Sequence, residues 1–221
     1  LIHLGTNDLC CSDPVRTDPF ESAYVDFIKE IVAVRGGGGG IRRRRNLAAE
    51  MRAGLKAAHD DLATAEARHG PIAGWYVSRV DDLSNVFDDK TTFNTQLNWD
   101  TSKVSNMART FQEADNFNQR LDWDTSSVTD MAWTFGGAAA FNRPLVWDVS
   151  KVTTMPNMLR ETSFNQPASL SAWDVSKASA MTDMLTNSAL ASDECSKAEL
   201  YEAWSDIATF SSAYDWSADV C

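Results

Sequence analysis

Tryptophan recurs along this chain at Trp75, Trp99, Trp123, Trp147 and Trp173, with spacings of 24, 24, 24 and 26 residues. Each one opens a similar phrase. Trp99-Asp100-Thr101-Ser102-Lys103-Val104, Trp123-Asp124-Thr125-Ser126-Ser127-Val128 and Trp147-Asp148-Val149-Ser150-Lys151-Val152 are nearly interchangeable. Trp173-Asp174-Val175-Ser176-Lys177-Ala178 is slightly decayed, and Trp75-Tyr76-Val77-Ser78-Arg79-Val80 lacks the Asp. Further columns keep step. Leu83, Met107, Met131, Met155 and Met181 follow the Val, and Phe87, Phe111, Phe135, Leu159 and Leu185 come next. The pairs Phe93-Asn94, Phe117-Asn118, Phe141-Asn142 and Phe164-Asn165 precede Leu97, Leu121, Leu145 and Leu170, which close the period.

A unit this short with six large apolar positions cannot bury them alone, but stacked on copies of itself it buries them in one continuous core. Each such side chain contributes roughly 1.5–3 kcal/mol when buried. The expected fold is therefore an α/β repeat, a short leucine-rich-repeat-like solenoid of about five coils with helical caps at both ends. At a strand spacing of about 4.8 Å the stack would be only about 24 Å long. The Val-x-x-Met stretch is the best strand candidate, pairing in parallel from coil to coil. The Met-x-x-x-Phe-x-x-Ala-x-x-Phe part suits a short helical turn on the opposite side.

Two polar columns accompany the core. Asn94, Asn118, Asn142 and Asn165 are read as a structural ladder, each side chain satisfying backbone groups that a turn leaves unpaired. Asp100, Asp124, Asp148 and Asp174 are read as Asx-type turns, accepting from the amides that follow. The competing reading of the Asp column is a calcium-binding edge of stacked oxygens, and no Gly-rich loop accompanies it.

The phrase Trp-Asp-Val-Ser-x-Val-x-x-Met, followed by Phe and Phe-Asn-Gln/Arg, resembles the BspA-like leucine-rich repeat, also called the DUF285 repeat. The resemblance covers roughly residues 70–190. Gly70-Pro71-Ile72 before Trp75 looks like the entry into the first coil of such proteins. Cys195, an amphipathic helix, Trp216 and Cys221 look like the C-terminal cap of microalgal members. The resemblance implies a fold and a habit rather than a reaction: largely secreted or surface proteins of bacteria, mycoplasmas, protists and microalgae, some associated with adhesion. It transfers no catalytic motif.

Four segments follow: an N-terminal extension over 1–45, a helical N-terminal cap over 46–74, the solenoid over 75–190 and a C-terminal cap over 191–221. In the extension, Asp18, Pro19 and Glu21 form a helix start. Phe20, Tyr24, Phe27, Ile28, Ile31 and Val32 share one broad face. Such a helix must dock, on its own solenoid or on a partner protein; a membrane surface fits less well, because the polar face has no basic excess. Gly36 to Gly40 make a flexible linker. Arg42, Arg43, Arg44 and Arg45 are a solvated face, an anion or partner site, or a processing site. Asn46 would cap a second helix over 47–67, with Leu47, Met51, Leu55 and Leu62 as its stripe, sealing the first coil.

At the other end Ala198 to Ile207 is expected to be helical and to seal the last coil through Leu200, Trp204 and Ile207. Cys195 and Cys221 flank this cap, and a bridge between them would stabilise by about 3 kcal/mol. Adjacent Cys10 and Cys11 do not readily pair with each other and are left to a partner, a metal or another copy. Disulfide use implies an oxidising compartment, secreted, cell-surface or an organelle lumen. Leu1 in place of Met fits a processed or truncated chain, so no targeting peptide is read.

The net charge of −11 is unevenly placed. Residues 1–70 balance, and everything after them carries the acidic excess. That argues against a nucleic-acid platform, which needs a basic face. No run reaches the roughly 18 apolar residues of a transmembrane helix. His3, His59 and His69 lie outside the repeats with no metal-ligand spacing, and no phosphate loop, dinucleotide fingerprint or nucleophile elbow occurs. The expected role is accordingly non-enzymatic and cofactor-free: a protein-binding scaffold or surface recognition module. The alternatives are an accessory structural subunit of a larger, membrane-associated assembly, organellar or photosynthetic, in a microalga, and a calcium-dependent adhesin.

Overall fold

The computed structural model describes residues 61–214 and 216. Five repeats, over 75–98, 99–122, 123–146, 147–172 and 173–190, are stacked in register. Single parallel bridges join Asp82 to Asn106, Asn106 to Asp130, Asp130 to Thr154 and Thr154 to Ala180. They fall on the residue just before the Leu/Met column, at the expected place for strand pairing. Beyond these bridges no strand is formed among the described residues, and none of the repeats holds the expected helical turn after its Met.

The backbone hydrogen bonds explain why. In repeat 2 the N–H groups of Met107, Arg109, Phe111 and Glu113 all leave the repeat, donating to Asp130, Ala132, Thr134 and Gly136 carbonyls at 2.8 to 2.9 Å. The intervening N–H groups of Thr110, Gln112 and Ala114 close back on Met107, Arg109 and Phe111, three residues earlier. Repeats 1, 3 and 4 follow the same scheme. Alternate donors thus go forward to the next repeat and into turns, which no α-helix permits, since its donors all go to the residue four before.

Such alternation needs left-handed backbone at fixed positions. Apart from Gly70, every positive-φ residue among the described residues lies in one of two columns: Asn85, Arg109, Trp133, Asn157 and Asp183, or Asp89, Glu113, Gly137, Glu161 and Asn187. Non-glycine φ values there run from 53° to 60°.

Inside, the aromatic columns form the core. Phe87, Phe111 and Phe135 stack at centroid separations of 5.2 and 5.4 Å. Phe93, Phe117, Phe141 and Phe164 form a second file at 5.9 to 6.2 Å. Within each of the first three repeats the two Phe rings lie about face to face, 3.9 to 4.1 Å apart. In repeats 4 and 5 Leu159 and Leu185 replace the first file, with Met158 and Met184 taking the places of buried Thr110 and Thr134.

The ends are sealed by helices. Helix α1, Leu62–His69, is capped by Asp61, whose carboxylate accepts from the Thr64 N–H at 3.0 Å. It packs Leu62 and Ala65 against the core. Asp61 is non-helical (φ −149°), so the expected helix over 47–67 is not continuous there and a helix begins at Leu62, while residues 47–60 lie outside the described residues. The longer fourth repeat holds a short helix, α2, Pro167–Ser171, with Pro at its start and Leu170 buried. At the C-terminal end α3 spans Glu194–Trp204 and α4 spans Ala208–Ala213. The expected Ala198–Ile207 helix therefore begins earlier and ends before Ile207, because Asp193 supplies the cap for the Cys195 N–H. Leu200, Trp204 and Phe210 close the core. Tyr214 Oη accepts from the Leu185 N–H at 2.8 Å, taking one of the last repeat's forward donors, and burial pushes its phenol up to about 12.

The Trp column ties repeats together through its indole N–H. Trp75, Trp99, Trp147 and Trp173 donate to the carbonyls of Gly70, Ile72, Leu121 and Leu145 at 3.0 to 3.2 Å. Trp123 Nε1 is buried with no acceptor, although its ring stacks on Trp99 at 6.0 Å. Replacing Trp123 by Phe is therefore expected to cost less than replacing Trp147 by Phe, by about 1 kcal/mol, the worth of one hydrogen bond. Urea unfolding of both variants checks this; equal losses would show that the Trp123 N–H is satisfied in solution.

Candidate recognition face and structural columns

The Asn column runs along the stack as a ladder. The Asn118 N–H donates to Asn94 Oδ1 at 3.0 Å, the Asn142 N–H to Asn118 Oδ1 at 3.1 Å, and the Asn165 N–H to Asn142 Oδ1 at 2.9 Å. The last rung ends in the cap: Asn165 Oδ1 meets Ser196 Oγ at 2.7 Å and Asn165 Nδ2 donates to Asp193 Oδ2 at 3.0 Å. Asp193 thus caps α3 and terminates the ladder. The donated hydrogen bond from Asn165, then that of Ser196, lower its carboxyl from the ordinary value.

In the Asp column, Oδ1 of Asp100, Asp124, Asp148 and Asp174 accepts from the N–H two residues on, at Ser102, Ser126, Ser150 and Ser176, over 2.9 to 3.2 Å. Hydrogen bonding to those serines lowers all four carboxyls. This is Asx-turn geometry. Among the described residues no group of three or more His, Cys, Asp or Glu is gathered as a metal-holding set.

The sequence reading missed a second Asx column. Asp82, Asn106 and Asp130 accept from Ser84, Ala108 and Ala132 N–H groups at 2.9 Å each. The signal was present as an Asp/Asn immediately before Leu83, Met107 and Met131, and it is lost at Thr154 and Ala180. Hydroxyl columns were missed as well. Ser105, Thr129, Thr153 and Ser179 donate to carbonyls of the preceding repeat at 2.9 to 3.2 Å. Buried Thr101 and Thr125 donate forward to Asp124 and Asp148 carbonyls.

The columns that vary are exposed or half-buried, with Asn85, Arg109 and Asp183 exposed and Trp133 and Asn157 half-buried. The first left-handed column presents Asn85, Arg109, Trp133, Asn157 and Asp183, which differ in charge and size although their backbone is alike. Its middle member shapes the third repeat. A Cβ on Gly136 would come within 2.5 Å of Trp133 Cε3, so glycine there lets the indole lie on the backbone. Gly137, at φ +77°, likewise leaves room for Glu113, whose carboxylate would be 2.6 Å from any added Cβ. Burial, then repulsion from Asp115, Asp89, Glu161 and Asp88, raises the Glu113 carboxyl.

Of the remaining residues singled out by sequence, Phe20, Tyr24, Phe27, Ile28, Ile31, Arg42 to Arg45, the Gly36–Gly40 linker, His3, His59, Cys10, Cys11 and Cys221 lie outside the described residues. Cys195 is disulfide-bonded, and its partner lies outside them too. No helix among the described residues is long and apolar enough to cross a membrane.

A family model described as "Mycoplasma protein of unknown function, DUF285" matches three overlapping stretches, residues 56–145, 97–198 and 121–219. Neither curated proteins nor solved structures gave a match.

Asn118→Ala would leave the Asn142 N–H without its acceptor and is expected to cost about 1–3 kcal/mol. Asn118→Asp, which keeps the accepting oxygen, would lose less; equal losses in urea unfolding would rule out the ladder as a source of stability. Glu113 has the opposite sign from the Asp columns. Its folded carboxyl is raised, so ionisation at neutral pH disfavours the fold, and that penalty vanishes below the unfolded value near 4.3. Glu113→Gln is thus expected to raise Tm at pH 7 and to leave it unchanged near pH 4, a dependence that thermal unfolding at the two pH values reads directly.

Proposed function

The chain belongs to the DUF285 family, and on that premise we propose that it is a non-catalytic protein-binding module, a short leucine-rich-repeat-like solenoid of surface or secreted type that presents a variable face to a protein partner. The observation that carries this reading is the contrast between columns. Inward positions repeat nearly unchanged, and their polar groups answer neighbouring repeats. The left-handed surface column instead carries Asn85, Arg109, Trp133, Asn157 and Asp183. At φ near 58° an Arg costs more than the Asn or Gly that would suit the backbone, and a bulky Trp is a still rarer occupant. The left-handed backbone does not select Arg109 or Trp133; Trp133 lies half-buried over Gly136, and an external contact would favour keeping both side chains. Trp and Arg are also the residue types that anchor protein interfaces.

The resemblance to microalgal members supports a bridge from Cys195 to Cys221 closing the C-terminal cap. Such a bridge fits an oxidising compartment.

The test is native isolation from the source with cross-linking and mass spectrometry. A stoichiometric protein partner cross-linked near Arg109 and Trp133 is expected, together with loss of that partner in a Trp133→Ala variant whose unfolding curve stays close to the parent's. A lone monomer, or a partner retained by the variant, would overturn the recognition face.

A further inference from the structure

Repeat 3 differs from the others by two adjacent glycines, Gly136 and Gly137, where they carry Asp88-Asp89, Gln112-Glu113, Arg160-Glu161 and Thr186-Asn187. Of the two, only Gly137 has a positive φ. Gly136 is therefore not demanded by its backbone. What it provides is room, which the Trp133 ring fills, with Cε3 and Cζ3 at 2.5 and 3.3 Å from where a Cβ would stand. On the next residue the Glu113 carboxylate does the same. Its Cδ, Oε1 and Oε2 are all 2.6 Å from the place of a Gly137 Cβ, so the group lies flat on the backbone there. An indole and a carboxylate thus rest on adjacent residues of one floor. No cation answers that carboxylate. Among the described residues the ion pairs join Arg120 to Asp122, Arg160 to Glu161 and Asp183, and Lys197 to Glu194, and none reaches Glu113. Exposed Arg109, one rung before Trp133, joins none of these pairs. Nor does the fold ask for this residue. At φ 53° Gly or Asn would suit better, as Gly137 and Asn187 show in the same file, and half-burying an unpaired charge is unfavourable. Groups that cost stability persist where function uses them.

What this seat lacks is a positive charge, and the indole selects which kind. A bare metal ion would make no use of the ring. A guanidinium uses both parts: its plane stacks on an indole face, and its N–H fork donates to a carboxylate. The surroundings carry the same sign. Asp89, Asp115 and Glu161 are exposed and near enough to repel the Glu113 charge, so basic residues flanking such a guanidinium are matched as well. We propose, on the basis of the recognition face argued above, that the partner presents a basic segment in which one arginine stacks on Trp133 and pairs with Glu113.

The probe is a fluorescein-labelled hexa-arginine peptide, titrated into the full chain and followed by anisotropy at about 50 mM salt, where exposed charges are weakly screened. Trp133→Ala is expected to weaken binding about fivefold, the worth of one cation–π contact, and Glu113→Gln about tenfold, the worth of a charge-assisted pair. Glu113→Gln removes a destabilising charge, so its fold is retained and this arm stands even if Trp133→Ala folds poorly. Glu202→Gln removes an equal charge from the exposed surface of α3, and should change affinity by less than about twofold. A hexalysine peptide should bind about threefold more weakly than hexa-arginine, because an ammonium has no plane to stack and no fork. Equal losses for Glu113→Gln and Glu202→Gln, or no loss for a folded Trp133→Ala, would reduce the binding to bulk charge and overturn the seat. The same variants separate this inference from the reading it rests on. A natural partner lost by Trp133→Ala but kept by Glu113→Gln would overturn the arginine pairing and leave the recognition face standing, whereas a partner kept by Trp133→Ala would overturn the face itself.

Discussion

Everything in this molecule rests on where alternate amide N–H groups go. Along each turn spine one donor crosses to the next repeat and the following one closes a turn on its own repeat. Neither half suffices alone. The turns give no reason for repeats to stack, and the crossing bonds need the turns to aim them. Because each left-handed residue is required by both, a bulky side chain at φ near 58° is tolerated at Trp133, and charged ones at Arg109 and Glu113, where an isolated loop would call for Gly or Asn. The cooperative unit is the pair of neighbouring repeats, as expected of a quasi-one-dimensional fold.

The hydrophobic core is arranged by that backbone. Rings in the Phe87 file sit 5.2 to 5.4 Å apart, close to the spacing of paired strands, so each side chain meets its own counterpart. Like stacks on like, which is why the columns recur so faithfully in repeats 1 to 3. Towards the C-terminal end the demand changes. Repeat 4 is longer and inserts α2, and the core must then meet the helices of the cap, which present Leu200, Trp204 and Phe210 rather than another Phe file. Leu159, Met158, Leu185 and Met184 are flexible enough to pack against such a surface, Met especially. The decay of the repeat is thus the transition from self-packing to cap-packing.

Much of this was legible before any coordinate. The period, the place of the parallel bridges and the backbone-accepting role of the Asn and Asp side chains follow from which residues recur, although not that each Asn answers the Asn of the next repeat. The helical turn expected after each Met was misleading for a physical reason. From Met107 to Phe117 the buried positions of repeat 2 are Met107, Thr110, Phe111, Ala114 and Phe117, spaced three and four apart as on one face of a helix. The successive turns produce the same spacing with a different backbone. A single helical turn is a poor competitor, because helix nucleation is costly in so short a segment, whereas the neighbouring repeat offers acceptors to half of its donors. No residue type announces this: Arg109, Glu113 and Trp133 are ordinary helix residues. The cap at Asp193 was equally hidden, since its carboxylate answers both the start of α3 and Asn165, and only the fold brings those together.

The same geometry bears on what the surface can do. A stack of this kind sets equivalent side chains in straight files, one rung per repeat, with their backbones locked in a common conformation. What such files do well is hold different side chains at a fixed spacing against an extended surface. Changing one rung alters the contact without disturbing the hydrogen bonds that carry the fold. Arg109, Trp133 and Asn157 can therefore differ in size and charge, whereas the Phe111 and Phe135 column gives way only to other apolar residues, Leu159 and Leu185, and the Asn ladder is kept through four repeats. The interior is thus held to a repeat while the exterior is left free to differ from rung to rung.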